Sequence, residues 1–236
     1  MASFSISAEG SDRVTGMLCW RQYFLAMIGL VGLSSLSSAT EVSTDFADGF
    51  GLWTQSPTGK WEIQNDGGNF VAALTEAGVQ PGGVRRPTAY LLLPSIEWTD
   101  TTINLRARTS EPESVVNRDV VVIFGYVDPT HFYYAHLSSN SDDRFHTIIM
   151  KVMGDARETI DLQDAPVAPL TDAWHDIRLT HKANGTIRVY VDDMTTPVLT
   201  AEDTTFPVGA VGFGCFDDRA LFDDVRVSGT ARSSSE

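Results

Sequence analysis

The side chains best suited to chemistry gather between Asp128 and Leu137, where Asp128, His131, Phe132, Tyr133, Tyr134 and His136 fall within nine positions. A strand alternates its side chains with period two. A strand from Phe132 therefore puts Phe132, Tyr134 and His136 on one face, and Tyr133 and Leu137 on the other. In Ile103–Arg108 the same alternation gives the apolar residues one face and leaves Asn104, Arg106 and Arg108 pointing away from the core. A strip made of Tyr134, His136, Arg106 and Arg108, closed by His146 at the start of the next strand, suits a sugar. Aromatic rings stack on the C–H face of a pyranose, and Arg and His hydrogen-bond its hydroxyls. On this reading the Tyr134 ring faces solvent; the competing reading is a core strand, where tyrosine is equally at home.

Carboxylates offer a second possibility. Asp45 and Asp48 flank the first strand and its turn, and Asp223 and Asp224 occupy the last strand, where strict alternation allows one acid and two stand, so a bulge is expected. If the first and last strands are neighbours, Asp45 and Asp223 can offer oxygen ligands to Ca2+, against the plainer reading of turn capping. Acid–base work on glycosides calls for two carboxylates held at about 5–9.5 Å. The glutamates, from Glu62 to Glu202, show no pairing of that kind and read as surface charge. No histidine pair has the i, i+4 spacing of a zinc protease, and no Gly-x-Ser-x-Gly elbow or phosphate-cradling glycine loop occurs. Zinc, nucleotide and haem cofactors are accordingly not expected.

The elements that must position these groups are short and nearly all of period two. Strands are expected at 42–46, 69–73, 90–93, 101–108, 119–127, 132–137, 146–153, 174–181, 186–191, 211–216 and 222–227. Asn184-Gly185 between two such runs predicts a hairpin with a type I′ turn. More than ten strands broken by Gly, Pro and Asp, with no long helical face, predict an all-β fold: a two-sheet antiparallel jelly-roll sandwich.

Ahead of these strands lies an uncharged run of 10 residues, Phe24–Leu33, after Arg21 and before Ser37-Ser38-Ala39. It is too short to span a bilayer and has the form of a secretory signal, so residues 1–39 are expected to be removed and the protein to be secreted or periplasmic. Residues 40–229 then form one domain and residues 230–236 a disordered tail. The chain carries 17 Lys+Arg against 31 Asp+Glu, a net charge of −14. That balance repels phosphate backbones and anionic lipid, so neither nucleic acid nor membrane insertion is expected. Cys215 is the one cysteine past residue 39, which leaves no intrachain disulfide and a core thiol as the plain reading.

Several segments together resemble the concanavalin A-like lectin/glucanase superfamily, and more narrowly laminin-G-like jelly rolls and the 3-keto-disaccharide hydrolase-like domains of secreted bacterial proteins. These are Asp45-Phe46 with Trp53 and Trp61-Glu62-Ile63, Gly125–Asp128 with Phe132–Leu137, Trp174–Arg178, Val189–Asp192, and Gly209–Gly214 with Phe222–Val225. The resemblance runs from about Thr44 to Gly229 and implies paired first and last strands and a concave sheet turned to carbohydrate. The paired-glutamate strand of the glucanases is missing, as is the Asn-Ser-Gly-Ile segment of the keto-disaccharide hydrolases. The expectation is therefore a lectin-like, non-catalytic or weakly catalytic domain binding a glycan or polysaccharide through Arg106, Arg108, Tyr134, His136 and His146. The alternatives are a glycan hydrolase or lyase with His136 or His146 as base, and an adhesion module binding protein.

Overall fold

The computed structural model describes residues 39–233 apart from 81, 143 and 163–167. The expected targeting segment therefore lies almost wholly outside the described residues. Fourteen antiparallel strands and no helix make up the described part. In chain order they are β1 (Thr40–Thr44), β2 (Thr54–Gln55), β3 (Lys60–Asp66), β4 (Asn69–Glu76), β5 (Ala89–Thr109), β6 (Asp119–Asp128) and β7 (His131–Ser138). There follow β8 (Ile148–Met153), β9 (Ala156–Thr159), β10 (His175–His181), β11 (Thr186–Val191), β12 (Leu199–Glu202), β13 (Gly209–Cys215) and β14 (Ala220–Ser233).

The two expected strands 90–93 and 101–108 are one, β5, and it belongs to both layers. Its first half pairs with β13 and β2, and its second half with β10 and β14. Pro94, which cannot donate to a ladder, falls where the β13 register slips between Gly209 and Val211, and Asp100 takes a positive φ of 51° between the halves. Hydrogen bonding thus runs unbroken along β12-β11-β10-β5-β13-β6-β7-β8-β9, folded so that its inner faces meet. Val120, Val122, Phe124, Tyr133, Ala135 and Leu137 of β6 and β7 pack against Ile103, Leu105, Ile177, Leu179 and Val189 of β5, β10 and β11. At the far ends of this path Asp161 bridges to Ala201, and the Leu162 N–H donates to Thr200 O at 2.9 Å. β1, β2 and β3 each pair on one side only, and the β3 edge carries Lys60 and Glu62, which pair at 2.8 Å.

The terminal strands pair as expected, two residues earlier on the first strand: Thr40 to Thr44 lie opposite Gly229 to Val225. The bulge falls where two acids stood for one, with a register slip between Asp223 and Arg226 and a φ of 49° at Asp224. Residues Thr230–Ser233, expected as disordered tail, instead continue β14 beside Thr99–Ile96, because β5 is long enough to offer them a partner. The hairpin after β10 also differs in detail. Gly185 N–H closes on Lys182 O (2.8 Å), and only Gly185 has positive φ (89°). The turn is thus type I ending in a glycine bulge rather than type I′.

Three side chains with polar atoms are enclosed in the core. Tyr133 Oη donates to Asp203, which also takes Lys151 Nζ at 2.8 Å. His181 lies edge-on to Phe124 (5.2 Å) and Tyr133 (5.6 Å), and burial lowers its pKa to about 4. The Cys215 thiol is fully buried and donates to Asp119 O at 3.3 Å.

Two outcomes are expected. A chain starting at Phe50 loses β1 and Phe46, whose ring packs on Phe213 at 6.3 Å. With the β14 ladder unpaired it should lose most of its cooperative thermal transition; a wild-type melting temperature would contradict the pairing. For His181 the folded pKa lies below the unfolded one. Its contribution is therefore fully present above about pH 6.5 and lost as pH falls toward about 4. Urea melts of His181→Phe should lose that part of the acid dependence, and an unchanged slope between pH 6.5 and 4 would refute it.

Candidate functional site

A second apolar cluster lies on the outer face of β6–β7–β8: Val121, Ile123, Phe132, Tyr134, Ile148, Met150 and Val152, with Phe216. The connection from β4 to β5 lies over this face and packs Val84 on it. Tyr134 therefore is not solvent-facing. It is 0% exposed, its ring packs on Phe132 (6.1 Å) and Phe216 (5.4 Å), and burial pushes its phenol above the ordinary range. Alternation correctly placed Tyr134 opposite Tyr133, but the face it occupies is roofed.

Beyond Tyr134 the same face opens into a groove of about 590 Å3 that both His136 and His146 line. His136 is buried at its floor. Its Nδ1 faces the Phe145 carbonyl, which can only accept, so Nδ1 carries a hydrogen. Its Nε2 lies 3.1 Å from Asp119 Oδ2 without an aligned hydrogen bond, and both side chains are buried. Asp119 Oδ1 accepts the Phe216 N–H (3.1 Å), and the Asp119 N–H donates to Asp218 Oδ2 (2.8 Å). Burial foremost, and then the Asp119 charge, raises Asp218 to about 7.

The His146 ring lies 5.6 Å from that of His136, tilted by 42°, with Nδ1 bound to Asp142 Oδ2. Burial works against the Asp142 charge. Hydrogen bonds from His146 and from the Phe145 (2.6 Å) and Arg144 (2.8 Å) N–H groups outweigh it and hold Asp142 at about 2. An ionised Asp142 fixes the hydrogen of His146 on Nδ1, and its Nε2 has no hydrogen-bond partner among the described residues. At the rim Phe145 is 49% exposed, with the Arg157 guanidinium 5.3 Å from its ring centroid. Arg157 Nη1 donates to Arg85 O (3.3 Å) and reaches Tyr134 Oη (3.5 Å), and Arg85 pairs with Asp217.

The two arginines expected here are elsewhere. Arg106 and Arg108 point outward from the other layer, where each guanidinium lies 5.2 Å from the Trp174 ring. Arg106 approaches Asp224 (3.5 Å) and Asp176 (3.7 Å), and Arg108 bonds Asp66 (3.3 Å), which also takes the Trp174 N–H (3.1 Å). Their parity was read correctly; what parity cannot tell is which layer a strand joins. The five expected residues thus divide into His136 and His146 in the groove, Tyr134 beneath its neighbouring roof, and an arginine pair on another surface. Sequence reasoning missed Asp119, Asp142, Phe145, Arg157 and Asp218. Phe145 stood in plain view as a lone aromatic in the polar run 139–147, the one signal that could have found it.

The expected calcium pair is also divided. Asp45 Oδ1 caps its own turn by accepting the Ala47 N–H (3.1 Å), and its neighbour across the ladder is Asp224. Asp223 is buried, accepts from Asn69 Nδ2 at 2.5 Å, and has its pKa raised chiefly by burial. Among the described residues no three His, Cys, Asp or Glu side chains group closely enough to hold a metal ion.

No family model matches the chain, and no curated protein matches it in sequence. Solved structures do match it in fold. The carbohydrate-binding module CBM66 from Bacillus subtilis superposes with a TM-score of 0.55 at 18% identity, covering 74% of this chain and 94% of that one. A Bacillus subtilis protein of unknown function with a galectin-like fold gives 0.52 at 14% identity, over 83% of this chain and 96% of that one. Peanut lectin gives 0.53 at 10% identity, over 84% of this chain and all of that one, 100%. At such identities the likeness is one of architecture. Taken with the two-layer antiparallel ladder, it shows the fold to be a lectin-like jelly-roll sandwich.

Proposed function

We propose that this domain binds a neutral glycan in the groove beside His136 and His146, and that it does so after export. The observation that carries the reading is the half-exposed Phe145 ring, with the Arg157 guanidinium over one face, in the groove that His146 also lines. A ring face for a pyranose, flanked by an acceptor and by donors, is the arrangement sugar recognition requires. The net charge of −14, and Asp217 and Asp218 at the groove itself, favour an uncharged partner over an anionic one. The architecture shared with a carbohydrate-binding module and a lectin supports the same reading, and the Phe24–Leu33 run supports export.

A second reading has one specific observation in its favour. The Asp142–His146 pair is built like a general base with its orienting acid, and Asp218, at about 7, is poised to exchange a proton near neutrality. On this reading the groove cleaves the glycan it binds, as a hydrolase or lyase.

One set of measurements addresses both. Binding isotherms on β-glucan, xylan, mannan, galactan and starch should find at least one ligand. Phe145→Ala should weaken it by on the order of 1 kcal/mol with an unchanged melting temperature, because its ring is exposed. Tyr134→Ala should instead cost about 3 kcal/mol or more in folding. Full affinity in Phe145→Ala, or no retention on any polymer, would overturn the binding reading. Polymer cleavage that His146→Asn abolishes while affinity persists would establish the enzyme.

A further inference from the structure

A second concavity, of about 370 Å3, lies on the other side of the β4–β5 connection. Tyr90 and Tyr126 line it with ring centroids 6.3 Å apart and planes tilted by 55°, both half-buried, over Leu92. Gln55, Arg86 and the exposed Val79 complete its wall. The connection between the two hollows is a narrow strap. Arg85 belongs to the first groove and its neighbour Arg86 to the second. Arg86 precedes Pro87, which holds it extended, and successive side chains of extended chain point to opposite sides.

The strap is fastened at Gln80 and again from Val84 to Thr88. Gln80 Nε2 donates to Val84 O (3.0 Å), Val84 sits on the apolar face, and Arg85 pairs with Asp217. Thr88 Oγ1 donates to Phe216 O, and the Thr88 N–H to Cys215 O at 3.2 Å. The two hollows are therefore held at a fixed spacing by one thickness of backbone, each with an aromatic surface and a guanidinium: Phe145 with Arg157 in one, the tyrosine pair with Arg86 in the other.

We propose that the Tyr90–Tyr126 hollow is a second sugar subsite, so that the ligand is the interior of a linear neutral polysaccharide laid across the strap, not a terminal sugar or a disaccharide. This rests on the glycan reading of the first groove and adds the class of ligand. Two tyrosine rings with a polar rim repeat the chemistry of the first groove, and the net charge of −14 again disfavours anionic chains. One chain engaging both hollows gains from the high effective concentration of its second segment once its first is bound.

The test uses the whole protein and linear gluco-, xylo-, manno- and galacto-oligosaccharides of roughly two to eight units, a ladder long enough to bridge tethered sites. In the series that binds, affinity should rise again at the length that first crosses the strap, by about tenfold for one further stacked subsite. Val79→Arg, a change at an exposed wall residue, should abolish this rise while short oligosaccharides keep wild-type affinity. Tyr90→Ala should do the same where its melting temperature is preserved. Phe145→Ala should weaken short and long ligands alike. A plateau at the shortest ligand, or a length dependence indifferent to Val79→Arg, overturns the second subsite and leaves the first groove standing. Failure of every series to bind overturns both.

Discussion

The structure depends on β5 remaining one strand for 21 residues. Backbone groups taken from water must find partners, and a strand that leaves one layer and enters another must do so without orphaning any. β5 meets this with β13 and β2 on its first half and β10 and β14 on its second, turning at Asp100. The two faces of the core are thereby fixed relative to each other by covalent chain rather than by packing alone. Interdigitation of Phe213 with Phe222 (4.8 Å) and of Trp61 with both rings then follows from register.

The groove inherits this rigidity. Its floor is polar but not loose: Asp119 is held by the Phe216 N–H, by Asp218 and by His136, and those three come from β7 and from the turn between β13 and β14. Burying the Asp119 carboxyl group is tolerable because the Phe216 N–H donates to it and the His136 imidazole stands beside it. The exposed Phe145 and His146 stand on this floor from a loop whose shape Asp142 sets by accepting from the N–H groups of Arg144, Phe145 and His146. Rigid floor and presented rim are the ordinary division of labour between sheets and loops in binding proteins.

Much of the fold was legible because period two reports on faces. Ile103, Leu105 and Ala107 were rightly turned inward, the terminal strands rightly paired, and the Asp223-Asp224 bulge rightly placed. β2, β9 and β12 escaped notice because strands of 2 to 4 residues show too few periods to be read, and β3 because its pattern has one buried position in 7. The site was far less legible. Arg106 and Tyr134 share an outward parity, yet one joins a solvated face and the other a face closed by a distant connection, a fact set by tertiary contacts and not by spacing. Asp119 and Asp218 are 99 residues apart, so their meeting left no local trace.

Closure of the long ladder has a consequence for solubility. A sandwich of this size with open edges would present unpaired N–H and C=O rows to its copies, the starting point for sheet-to-sheet polymerisation. Here the β9 and β12 ends are tied through the Asp161–Ala201 bridge, and β3 shows a Lys60–Glu62 pair that a second chain would have to desolvate. The long ladder thus offers no free end to a neighbouring copy, and the other one-sided strands are short, β1 of 5 residues and β2 of 2.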